Sequence, residues 1–146
     1  MAVLGSITSS NAVITLVIGN LYPAPQRLAG FATDDIYDTP AITPVEAMMG
    51  ADGRLSAGYV PVPVVQTFNF MADSDSILVF EAWFAAMKVA RDVLSASATT
   101  LLPATGRQYI HTRGWLTSFS PMPSAKKVLQ PRAFTITWQD VSAAPF

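Results

Sequence analysis

The stretch SDSILVFEAWFAAMKVARDVL, Ser74 to Leu94, is the one long helical pattern in the chain. Ile77, Phe80, Phe84, Met87 and Leu94, with Trp83, Ala90 and Val93 beside them, recur at helical spacing and make one wide apolar stripe. Glu81, Ala85, Lys88 and Asp92 fall on the opposite side, which is expected to meet water. Ser74 or Asp75 suits the first free backbone N–H groups, and Lys88 and Arg91 suit the negative end of the helix dipole. Segments of strand character flank this helix, expected over about 75–94, on both sides. A stripe with two Phe and a Trp is too large to leave wet. The expected fold is mainly β: an antiparallel β-sandwich or barrel with one flanking α-helix.

Working outward, Asn11 to Ile18 reads as a first strand, apolar on both faces. Tyr22 to Pro25 reads as a proline-rich break, with a second strand expected over Gln26 to Ala32. Val45 to Met49 and Leu55 to Val60 flank Gly50-Ala51-Asp52-Gly53, a hairpin signal. Val64 to Met71 runs as a strand into the helix. Beyond the helix, Thr99 to Leu102 is a brief strand, Pro103 to Gly106 a turn, and Gln108 to Phe119 a long strand. That strand is expected to place Ile110 and Leu116 on one face and His111, Arg113, Trp115 and Phe119 on the other. Ser120 to Gln130, with Pro121, Pro123, Lys126 and Lys127, reads as an exposed loop. Arg132 to Asp140 alternates Phe134, Ile136 and Trp138 with Thr135, Thr137 and Gln139.

The 146 residues fit a single domain, 1–146, with residues 1 to about 10 expected as a flexible arm. There is no cysteine, which excludes disulfides, thiolate nucleophiles and Cys-ligated metals and suits a reducing compartment. The run Ala12 to Ile18 precedes the first basic residue, Arg27, and is too short to span a bilayer, so no signal peptide or membrane insertion is expected. Charged residues are 13%, against about 25% in ordinary soluble domains. A compact chain of this length exposes roughly 7,200 Å², or about one charge per 380 Å². Such a surface points to burial against other chains, an obligate oligomer.

Net charge is −1, which argues against electrostatic nucleic-acid binding. Residues 1–73 hold six acids and two bases, and residues 74–146 four acids and seven bases. Asp34, Asp35 and Asp38 cluster in the first half and Lys126, Lys127 and Arg132 in the second. These six are the candidate subunit-interface residues.

No catalytic, cofactor or metal site is expected. A triad would have to pass through the single histidine, His111, which reads as a hydrogen-bonded structural residue. The three clustered Asp lack the ligand spacing of a calcium loop. Leu102-Pro103-Ala104-Thr105-Gly106 spells a sortase signal but is followed by more strand-like sequence, so it reads as a turn.

Leu101-Leu102-Pro103-Ala104-Thr105-Gly106, Tyr109, Thr112-Arg113-Gly114, Leu116 through Pro121, Pro123 through Lys127, and Leu129 through Arg132 into Phe134 through Trp138 together resemble a bacteriophage tail tube protein or a closely related tail structural protein. Gly30 through Asp35 and Gly53 through Gly58 fit the same pattern. The resemblance covers most of residues 11–140. It implies a β-sandwich or barrel with one helix, six copies closing into a ring, and rings stacking into a virion tail tube that conducts DNA without specific binding. Type VI secretion tubes share that architecture. Implied partners are further copies of the chain, sheath, baseplate and tail-end proteins, with assembly in the host cytoplasm. The uncharged face Thr135, Thr137 and Gln139 is the candidate lumen lining. Lys126 and Lys127 are expected to contact an acidic loop of an adjacent ring, or the sheath. The alternatives are a ring-forming tail-end or baseplate protein and a monomeric ligand-binding β-barrel with a deep apolar pocket.

Overall fold

The computed structural model describes residues 12–19, 21–32 and 36–145. The expected flexible arm, Asp34 and Asp35 lie outside them. Seven strands form one antiparallel sheet in the order β2-β1-β7-β8-β9-β6-β3. They are β1 (Val13–Ile18), β2 (Tyr22–Leu28), β3 (Tyr37–Asp38), β6 (Val64–Phe70), β7 (Ala96–Leu102), β8 (Arg107–Phe119) and β9 (Arg132–Pro145). β4 (Val45–Met49) and β5 (Leu55–Tyr59) pair only with each other, and α1 (Ser76–Ala90) packs on one face of the large sheet. The sheet stops short of a barrel, with β2 and β3 as its edges. It curls far enough for the chain leaving β2 to meet the end of β6: Phe31 bridges Phe70, and Met71 N–H donates to Gly30 O at 2.8 Å.

Tyr22 to Pro25, expected as a break, lies within a strand. β2 is an edge with one neighbour, and its register against β1 slips between Leu16 and Ile18, so Pro23 and Pro25 break no regular ladder. The strand after the helix is also longer than expected, because β7 is paired on both sides, by β1 and β8.

α1 ends at Ala90, four residues short of the expected end at Leu94. Arg91 takes the left-handed position usually left to glycine, with φ 51°. The chain then doubles back, and Leu94 O accepts the indole N–H of Trp83 at 3.0 Å. Ser74 Oγ accepts from Ser76 N–H at 3.3 Å, so Ser74 rather than Asp75 supplies the side-chain contact at the helix start.

The core forms where Ile77, Phe80 and Trp83 press on the sheet. Phe80 stacks on Phe134 with ring centroids 4.8 Å apart and meets Phe70 at 5.4 Å. Phe84 sits at the rim, stacked on Phe119 at 4.5 Å. Burying Phe70, Phe80 and Phe134 completely contributes about 1.5–3 kcal/mol each.

β8 does not keep the expected faces. Its register shifts against β7 between the pairs Ala98↔His111 and Ala96↔Gly114, and against β9 between Leu116 and Ser118. Arg113 sits at the first irregularity with φ 40°. Each extra residue rotates the strand, so His111, Gly114, Leu116 and Phe119 come to share the core side. Ile110, expected beside Leu116, is 45% exposed instead.

Candidate assembly surfaces

The β4–β5 hairpin leaves the main sheet, and every residue of both strands is exposed. Its turn is closed by Gly50 N–H to Arg54 O at 2.8 Å and Gly53 N–H to Gly50 O at 3.0 Å, with Gly53 at φ 85°. The register pairs Val45 with Tyr59, Ala47 with Ala57 and Met49 with Leu55. Directly opposed residues share a face, so these six side chains form one uncharged face, apolar but for the Tyr59 hydroxyl. Glu46, Met48, Ser56 and Gly58 form the other. Tyr59 is 77%, Met49 62% and Leu55 61% exposed. A two-stranded ribbon with nothing against its apolar side is marginal in water.

α1 carries a second apolar stripe on its outward side. Leu78 is 63% and Val89 87% exposed, with Ala82 and Ala85 between them on the same helical line. Glu81, Ala85, Lys88 and Asp92 are exposed as expected. The water-facing side is nonetheless apolar apart from Glu81 and Lys88 along the helix. A helix that is apolar nearly all round is usually buried.

The candidate interface charges are dispersed. Asp38 is exposed on the edge strand β3. Lys126 and Lys127 are exposed on the loop between β8 and β9, beside Met122 at 73% and Val128 at 70% exposure. Arg132 is a different case: it is 4% exposed and is used inside its own subunit. Its guanidinium bonds Glu81 Oε1 at 3.3 Å and Ser120 O at 2.6 Å and covers the Phe119 and Phe134 rings. The sequence held the signal, because Arg132 has the same strand parity as Phe134, Ile136 and Trp138.

Thr135, Thr137 and Gln139 lie on the face of β9 turned away from the core. Thr135 Oγ1 is 3.1 Å from Thr67 Oγ1, Thr137 Oγ1 is 3.0 Å from Thr117 Oγ1, and Thr117 Oγ1 also donates to Thr135 O at 3.3 Å. The face is less neutral than the alternation implies. Trp115 pairs with Thr137, and the Arg113 guanidinium lies 5.0 Å over its ring.

On the core side of the sheet, the end farthest from α1 stays open. Tyr37, Gln66, Thr100, Tyr109, His111 and Val141 line a cavity of about 270 Å³. Its wall is mostly apolar surface, from the Tyr37 and Tyr109 rings, Leu102 and Val141, with a few polar groups of Gln66, Thr100 and His111 set into it. Gln66 Oε1 accepts from Trp138 Nε1 at 2.9 Å, and Thr100 Oγ1 is 2.8 Å from His111 Nε2. Burial lowers the His111 pKa to about 4, so the ring is neutral at pH 7. Burial, and then the neighbouring Tyr109, pushes the Tyr37 phenol up. His111 lies against the Trp138 ring at 4.9 Å, as a hydrogen-bonded structural histidine does. Leu102 to Gly106 is a tight turn with Ala104 buried.

Residues 5–142 match the family described as tail fiber protein gp32. A search of curated proteins finds no match. Among solved structures, a chain of the anti-feeding prophage baseplate, 6-fold symmetrised, superposes with a TM-score of 0.61 at 11% identity, covering 99% of this chain and 98% of that one. A chain of the tube-terminating cap of the same prophage gives 0.59 at 11% identity, covering 100% and 95%. A chain of the sheath-tube complex of an extracellular contractile injection system, in the extended state, gives 0.58 at 14% identity, covering 91% and 88%. The shared fold spans essentially whole chains.

Proposed function

The chain belongs to the tail fiber protein gp32 family, and on that premise we propose that it is a ring-forming subunit of a tail tube whose stacked rings enclose a lumen for DNA. The observation that carries this reading is the uncharged, largely apolar and wholly exposed face of the β4–β5 hairpin. Six uncharged side chains on a protruding ribbon have no role in a free monomer and a clear one between subunits. The low charge of the chain and the apolar outward side of α1 support the same reading.

In such a tube the hydroxyl-rich face of β9, with Thr135, Thr137 and Gln139, is the proposed lumen lining. Hydroxyls wet the wall without the salt-dependent grip that each phosphate-binding lysine or arginine adds. Arg113, beside that face, is held on Trp115. Lys126, Lys127 and Asp38 are exposed and serve as proposed contacts to adjacent rings, sheath or baseplate; Asp34 and Asp35 remain sequence-based candidates for the same role. The protein is a non-enzymatic part of the virion tail.

A second reading is a ring-forming baseplate or tail-end component, supported by the near-complete superposition on chains from a baseplate and a tube-terminating cap. Negative-stain electron microscopy and light scattering of the purified protein over a concentration series separate the two. Hollow rods are expected for a tube subunit and single rings for an end component. A monomer at every concentration, unchanged by Met49→Asp, would overturn both.

A further inference from the structure

The hairpin and the outward stripe of α1 are both unpartnered among the described residues, and they lie toward opposite ends of β6. The hairpin joins the sheet through Pro61 to Pro63 before Val64, and α1 starts just after Phe70. We infer that the apolar face of the β4–β5 hairpin of one copy seats on the stripe Leu78, Ala82, Ala85 and Val89 of α1 in the next copy. This contact rests on the assembly reading above and names its two surfaces.

The surfaces match in length. From Leu78 to Val89 the helix rises about 16 Å, and from Val45 to Met49 the strand extends about 14 Å. They also match in relief. Each has small residues at its centre, Ala82 and Ala85 on the helix and the pair Ala47 and Ala57 on the hairpin. Each has large ones at its ends, Leu78 and Val89 against Val45 with Tyr59 and Met49 with Leu55. Small centres let helix and ribbon approach closely while the large ends clasp. No charge must be stripped of water to make the contact. The hairpin face has none, Lys88 lies off the stripe, and Glu81 is engaged by Arg132 at 3.3 Å.

Because the two surfaces differ, their pairing is heterologous. Repeated from copy to copy, it yields a closed ring or an open stack rather than a two-fold dimer.

The chain has no cysteine, so disulfide trapping has no background. Met49→Cys and Val89→Cys are made singly and together at exposed positions, and the proteins are mildly oxidised under conditions where electron microscopy scores assembly. The expected result is a disulfide-linked ladder for the double variant and a cross-linked dimer when the two single variants are mixed. Ala85→Lys, checked by circular dichroism for an intact fold, is expected to raise the concentration needed for assembly by about tenfold or more. Ala85→Ser is expected to leave it within about twofold, less than 0.5 kcal/mol.

Assembly without Met49–Val89 cross-links, or insensitive to Ala85→Lys, overturns the contact and leaves the assembly reading standing. Met49→Cys cross-linking only to itself overturns it in favour of a hairpin-to-hairpin dimer. Failure to assemble at any concentration overturns both the contact and the assembly reading.

Discussion

At the α1 end of the sheet's core side, Phe70, Phe80 and Phe134 are all at 0% exposure, closed over by the helix. At the other end the same strands β6, β8 and β9 continue into Gln66, His111 and Val141 around an open cavity. Trp138 marks the boundary: its indole lies over Gly114, donates to Gln66 and abuts His111. The helix-covered end can be apolar because nothing in it needs water. The uncovered end is buried by its own strands but lacks a lid, and it holds two side-chain hydrogen bonds, Trp138 to Gln66 and Thr100 with His111, while His111 Nδ1 stays without a partner among the described residues. One end is held by packed rings, and the other contains a buried histidine whose pKa burial lowers to about 4.

The largest expected effect separates the two ends directly. Phe80→Ala removes the ring that packs on Phe70 and Phe134 and is expected to cost about 3–5 kcal/mol in urea unfolding. Leu102→Ala at the partly exposed cavity wall is expected to cost about 1 kcal/mol. Equal costs would break the comparison.

The second prediction concerns pH. His111 is depressed from 6.5 to about 4 in the folded chain, so the unfolded chain takes up its proton first as pH falls. Its neutral state costs nothing above about pH 6.5, and stability is lost as pH falls toward 4, by up to about 3 kcal/mol. His111→Gln is expected to flatten that part of the stability profile, and an unchanged slope would remove His111 as the cause.

Next comes the boundary. A Cβ on Gly114 would overlap the Trp138 ring, reaching Cζ3 at 2.7 Å, so Gly114→Ala is expected to cost about 1–3 kcal/mol and alter near-UV dichroism. Wild-type stability and spectrum in that variant would show that the indole is not pinned there. The smallest effect belongs to the outer face. Thr137→Val loses the hydroxyl contact to Thr117 where water can replace it, and is expected to change stability by less than about 0.5 kcal/mol. A large loss would mean that this face is part of the fold rather than free for a lumen.

Much of the fold was legible because periodicity survives into structure. The α1 pattern, the glycine turn between β4 and β5, and the alternation of β9 all lie where spacing places them. The faces of β8 are not legible by counting, because two register shifts change the number of residues between core positions and nothing local announces them. The end of α1 is not legible either, because Arg91 takes the left-handed position that a glycine would signal. Of the site, the exposure of Asp38, Lys126 and Lys127 was legible from charge. Arg132 was not, because its guanidinium lies over aromatic rings, a use of charge that composition hides although strand parity points to it. The apolar face of the hairpin needed the register, which pairs Ala47 with Ala57 and so gathers apolar residues from both strands onto one side.

By itself, then, the sequence determined the kinds of element and the scarcity of charge, since both are properties of neighbouring residues and of totals. The tertiary structure alone decided which apolar residues the chain buries in itself and which it leaves exposed. That division depends on where α1 lands on the sheet. The helix is apolar nearly all round, and its seat on the sheet buries Ile77, Phe80 and Trp83 while Leu78 and Val89 stay exposed.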